Sequence, residues 1–135
     1  MIRVYIAAAR EDRPRAEALR DKLTAAGHAV ASTWHDGQPL PPHDGEIAAL
    51  EEGFRVASRC ANQMSGSHAI VVVEPEDDVG RGVLFAAGYA VSLADHGALR
   101  DGPYLIPREG VKKRSVLFAL LTWVSEDGLM KALSS

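Results

Sequence analysis

The sequence predicts an α/β domain of the flavodoxin-like (Rossmann-like) type, with a doubly wound, five-stranded parallel sheet. Three observations carry this. Short apolar, β-branched runs alternate with segments of helical period along the whole chain. The strongest run, residues 69–73 (Ala-Ile-Val-Val-Val), is apolar at every position, as a central parallel strand covered on both faces must be. A glycine-flanked turn, Gly80-Arg81-Gly82, follows that run and opens a small-residue helix, which is where an open α/β sheet places its ligand. With 135 residues and 47% hydrophobic content, the chain fits one domain around a single sizeable core.

Residues 2–8 are a short apolar run and predict the first strand. Glu11-Asp12-Arg13-Pro14 then places acids and an early proline where a helix begins. Ala16, Leu19, Leu23 and Ala26 recur at helical spacing, and Gly27 stops that helix before a second strand in residues 28–34. Residues 35–44 hold three prolines and a glycine, which predicts an irregular loop and a candidate lid at the carboxyl end of the second strand. From Asp44 as N-cap, Ile47, Leu50, Phe54, Ala57, Ala61 and Met64 mark a helix of about five turns, weakened at Gly53. Ser65-Gly66-Ser67 ends it before the central strand. After a helix over 82–94, Tyr104-Leu105-Ile106 predicts the fourth strand, while 115–121 fits either a short helix or a strand. Thr122-Trp123-Val124 predicts a last strand. It feeds a helix capped by Ser125-Glu126-Asp127, with Leu129, Met130 and Leu133 packing on the sheet.

The formal charge of −3 arises from interspersed acids and bases, so neither a nucleic-acid footprint nor a membrane-binding surface is expected. A small anionic ligand is compatible with it. No apolar run approaches the ~20 residues needed to span a bilayer. The first residues enter a strand directly instead of a signal peptide, so a cytoplasmic protein is expected. The lone Cys60 excludes an internal disulfide and cannot alone build a zinc site. It reads as a small hydrophobe buried on a helix or, less simply, as a catalytic thiol. Neither metal nor cofactor is expected.

The segment Gly80-Arg81-Gly82-Val83-Leu84-Phe85-Ala86-Ala87-Gly88-Tyr89-Ala90 resembles the nucleoside 2-deoxyribosyltransferase and nucleotide N-glycosidase superfamily. The signature there reads roughly Gly-x-x-x-Glu-x-Gly-x-Ala. Gly82, Gly88 and Ala90 match it, and Ala86 stands at the catalytic glutamate. The resemblance runs from Arg3-Val4-Tyr5-Ile6-Ala7-Ala8, through Ala26-Gly27-His28-Ala29-Val30, to the helix ending near Ala94. It implies an enzyme whose glutamate attacks the anomeric carbon of a nucleoside or nucleotide and passes the glycosyl group to water or another base. That chemistry needs a carboxylate, because the transition state is oxocarbenium-like and the anion both stabilises the charge and bonds to it. Ala86 supplies neither. The chain as written is therefore expected to be nearly inert. Ala86 is either natural to a non-catalytic relative, a replacement that holds substrate intact, or simply a good helix former on a packed face.

The resemblance also places Ala7, Ala8 and Arg10, just beyond the first strand, against the sugar and phosphate. A guanidinium at Arg10 suits a 5′-phosphate. Arg81, beside the positive end of a helix dipole, suits one equally, and each arginine reads alternatively as a surface charge. Trp34 offers a face for base stacking or a half-buried core ring. Gly80, Gly82 and Tyr89 complete the substrate side. Glu74, Glu76, Asp77 and Asp78 end the central strand and either orient a base or ribose hydroxyls or form a solvated acidic loop, with Asp78 nearest the glycine turn. Where the family shows acids late in the second helix and before the central strand, this chain has Cys60 and His68. His68 offers a proton as an imidazole can, or is an ordinary strand-end residue. The resulting expectation is a homodimer that binds a small-molecule nucleoside or nucleoside 5′-monophosphate. The parental reaction would be N-glycosidic hydrolysis. The alternatives are a non-catalytic nucleotide-binding or TIR-like, NAD-binding signalling module, and an enzyme acting through His68 and Asp78.

Overall fold

The computed structural model describes residues 1–35, 47–76 and 81–134. Strands Arg3–Ala7 (β1), Ala29–Val30 (β2), Ala69–Val73 (β3), Asp101–Ile106 (β4) and Thr122–Trp123 (β5) form one parallel sheet in the order β2-β1-β3-β4-β5. This is the flavodoxin-like order, with its switch point between β1 and β3. Four α-helices accompany it: Arg13–Ala25 (α1), Ile47–Ser65 (α2), Arg81–Asp95 (α3) and Glu126–Ser134 (α4).

Alternate strand residues point to opposite faces, so β1 serves two cores. Val4 and Ile6 pack with Leu19 and Leu23 of α1 and with Leu129 and Leu133 of α4. Tyr5 and Ala7 pack with Met64 of α2 and with Val83, Ala87 and Ala90 of α3. β3 is buried from end to end, which is why its sequence shows no polar alternation.

The ends of the elements follow from local chemistry. Gly27, at φ +91°, closes α1: its N–H donates to Thr24 O at 3.0 Å while His28 N–H donates to Leu23 O at 3.0 Å. The second strand is shorter than the predicted 28–34. After Ala31 N–H donates to Val4 O (2.8 Å), the Ser32 hydroxyl accepts the Ile6 N–H at 3.1 Å, and a side chain takes over the ladder. β4 begins earlier than predicted and carries a register shift opposite Ala69 and Val71. Residues 115–121 resolve as a 3-10 turn, Val116–Leu120, whose first free N–H, on Leu117, is accepted by the Ser115 hydroxyl at 3.2 Å. Ser125 caps α4 by accepting the Gly128 N–H at 2.9 Å.

α2 departs from the expected core helix. Its carboxyl-terminal Met64 is buried, but Phe54 is 73% exposed and Ala57 is exposed, so these two members of the apolar stripe are not core. The predicted cap Asp44 lies outside the described residues, as does most of the proline-rich loop. No helix among the described residues is long and apolar enough to cross a membrane.

Candidate functional site

A cavity of about 350 Å³ opens between α2, α3 and the carboxyl end of β1. Small residues make room for it: Ala7 ends β1 and Ala8 follows it, and Gly82 and Ala86 stand on α3. Among the described residues a β-carbon built on Gly82 meets nothing within 4 Å, so no described neighbour requires glycine there. Close approach of another molecule does give a reason for it.

Arg10 reaches the cavity from the short 3-10 turn Arg10–Asp12 that follows β1. That turn is fixed from behind. Asp12, 5% exposed, donates its N–H to Ala9 O (2.9 Å), and its carboxylate accepts from Arg108 at 2.8 Å. Trp34 forms a second wall with its indole held in place, Nε1 donating to Ile6 O at 2.7 Å and the ring edge-on to His35 with centroids 5.3 Å apart. His35 is wholly buried. Its Nε2 lies 2.9 Å from the Ser32 hydroxyl, and its carbonyl accepts from Arg13 Nε at 2.8 Å. The segment after β2 is tied to α2 through Gln63, which donates to the Thr33 hydroxyl (2.8 Å) and accepts the Thr33 N–H (3.2 Å).

α2 supplies a third wall, including Ala57, Arg59 and Cys60. Cys60 is half-buried beside Tyr5, and burial followed by the influence of this neighbour pushes the phenol well above the usual tyrosine range. The cavity therefore holds a neutral phenol on its β1 side, next to Cys60, which stands where the resemblance puts an acid. Among the described lining residues none is aspartate or glutamate, whereas Arg10, Arg13 and Arg59 all contribute.

Six of the expected site residues thus come together around one space: Ala7, Ala8, Arg10, Trp34, Gly82 and Ala86. Tyr89 lies about one turn of α3 beyond Ala86 and turns away, its hydroxyl 2.7 Å from the Ser65 hydroxyl and its ring stacked on Phe85. His68 stands at the amino end of β3, the edge opposite the cavity, where Nδ1 accepts the Arg3 N–H at 3.0 Å. The fold separates it from the other candidates. Asp77, Asp78, Gly80 and the side chain of Arg81 fall outside the described residues.

The other acids at the end of β3 have different partners from those expected. Glu74 is wholly buried and does not line the cavity; it accepts the Arg108 N–H at 2.8 Å and Arg114 Nε at 2.7 Å. Glu76 accepts from the second arm of Arg108 at 2.8 Å. These acids staple residues 107–114 to the sheet edge. Arg59 and Tyr5 are contributors that motif reasoning passed over, and Cys60, read as a buried hydrophobe or a catalytic thiol, lines the cavity with them. The only signal for Arg59 was a cation flanking an apolar helix stripe. Among the described residues no cluster of His, Cys, Asp or Glu is arranged to hold a metal ion. Neither a scan of protein-family models nor a search of curated proteins returns a match for this chain.

Proposed function

We propose that this domain binds a nucleoside 5′-monophosphate or nucleoside in the α2–α3 cavity. We further propose that it descends from N-glycosidases of the deoxyribosyltransferase superfamily and leaves its ligand intact. One observation carries the reading: Ala86 faces the same cavity as Arg10, Trp34 and Gly82, at the switch point of a flavodoxin-like sheet. Arg10 supplies a phosphate contact, the pinned Trp34 a face for the base, and Gly82 room for close approach. Beneath the sugar, the Ala86 methyl offers neither a nucleophile nor a charge for an oxocarbenium-like transition state. The cavity volume sits at the low end of the ~300–1,000 Å³ range of ligand sites, which suits a mononucleotide better than a dinucleotide. Phe85, 65% exposed at the cavity wall, leaves a place for a neighbouring subunit, in keeping with a homodimer.

The test is a thermal-shift comparison of nucleoside monophosphates, nucleosides and NAD, followed by mass analysis of what stays bound. A monophosphate is expected to stabilise the protein most and to be recovered uncleaved. Stabilisation by NAD alone favours the TIR-like alternative, and stabilisation by none removes the reading.

A further inference from the structure

Most arginines of the described chain are committed to carboxylates: Arg13 to Glu17, Arg15 and Arg108 to Asp12, Arg20 to Asp21, Arg114 to Glu74. Arg10 and Arg59 are not. Both line the cavity, one from the turn after β1 and the other from α2, and neither guanidinium has an ion-pair or hydrogen-bond partner among the described residues. The lining between them is apolar and, among the described residues, free of carboxylates. Two like charges bordering one cleft with low-dielectric walls repel each other and concentrate a positive field in it. Among the described residues no counter-charge meets these two guanidinium groups, which points to an anionic ligand.

We propose that Arg59 is an anion-contacting, specificity-determining residue, and that it and Arg10 hold the ligand's phosphate from two different walls of the cavity. The inference rests on the mononucleotide reading above. It adds a second phosphate contact, on a helix whose sequence reads as an apolar stripe. A terminal phosphate presents three peripheral oxygens and takes two planar guanidinium forks without either displacing the other. Ala86 strengthens the demand for an external anion. A glutamate there would return negative charge from inside the cavity, and alanine leaves that role to the ligand.

Calorimetric titration of the common nucleoside 5′-monophosphates and their nucleosides into the parent protein, Arg59→Ala, Arg59→Lys and Arg10→Ala tests this. Arg59→Ala is expected to weaken the monophosphate at least about tenfold while changing nucleoside affinity by less than roughly twofold. Arg59→Lys is expected to recover part of the loss. Equal losses for both ligands, or no loss at Arg59 while Arg10→Ala stays selective, overturns the Arg59 assignment and leaves the mononucleotide reading standing. If the parent protein binds no nucleotide, inorganic phosphate is titrated while the arginine Nε–H resonances are followed in isotope-labelled protein. Movement of the Arg59 resonance retains the anion site and removes the mononucleotide reading, and no movement removes both.

Discussion

Ala86 is 7% exposed on the cavity wall, so a single side chain there changes both the charge of the site and its chemistry. On the mononucleotide proposal, Ala86→Glu would place a carboxylate beneath the sugar, where it can attack the anomeric carbon and stabilise the developing cation. We expect this variant to raise release of free base from a nucleotide or nucleoside by at least about 10³-fold over the parent chain. Chromatography of the released base measures it, with circular dichroism to confirm folding. A folded variant that cleaves no member of the panel would remove the glycosidase ancestry. The same substitution partly neutralises the field of Arg10 and Arg59, so monophosphate affinity is expected to fall even as turnover appears. The two readouts moving in opposite directions distinguish a repaired active site from a merely disturbed pocket.

At the scale of elements, the glycines divide into those the chain needs for itself and those it does not. Gly102 in β4 has φ +86°, and a β-carbon there would lie 3.0 Å from the Tyr104 ring and backbone nitrogen and 3.1 Å from Ile70 O. Gly102→Ala is therefore expected to destabilise the fold by about 1–3 kcal/mol in urea unfolding, without altering ligand specificity, since β4 does not line the cavity. A variant as stable as the parent would contradict that account of Gly102. The same division explains what was legible in the sequence. Strand order, the α1 stop at Gly27 and the convergence of Ala7, Arg10 and Gly82 follow from rules that topology imposes on any doubly wound sheet. Helix rotation does not follow from them. The period of α2 fixes which residues share a face, but not that Phe54 and Ala57 would lie beyond the core while Arg59 and Cys60 border a cavity. Glu74 misled because an acid at a strand end reads as a ligand contact, and its partners, Arg108 and Arg114, are 34 and 40 residues away in sequence. His68 misled because it precedes β3 and so falls on the sheet edge away from the site.

Across the whole molecule, the two faces of the sheet have different work and different chemistry. The α1 and α4 face is closed by Leu19, Leu23, Leu129 and Leu133, while the α2 and α3 face gives up part of its packing to the cavity and buries a phenol beside it. At the rim, Arg108 joins Asp12 to Glu76, and its N–H joins Glu74, so the turn carrying Arg10 is braced from outside the cavity. The phenol makes global stability sensitive to alkali. Tyr5 is held protonated well above the usual tyrosine value near 10, first by burial and then by its neighbour Cys60. Once pH exceeds the unfolded value, the folded chain keeps a proton that the unfolded chain has lost. Stability therefore decreases as pH rises, by up to about 1.4 kcal/mol per pH unit from this residue. The contribution is fully present below pH ~10 and is lost progressively on the way to the raised folded value. Tyr104 shifts the same way, through burial and the Asp101 carboxylate, so the parent chain carries more than one such group. Tyr5→Phe isolates the first. It is expected to change stability little at neutral pH and to make the decline above pH ~10 shallower. Denaturant unfolding of both proteins from pH 7 to 11 reads the difference. Parallel curves would show that the phenol ionises freely in the folded state and that the cavity is wet down to Tyr5.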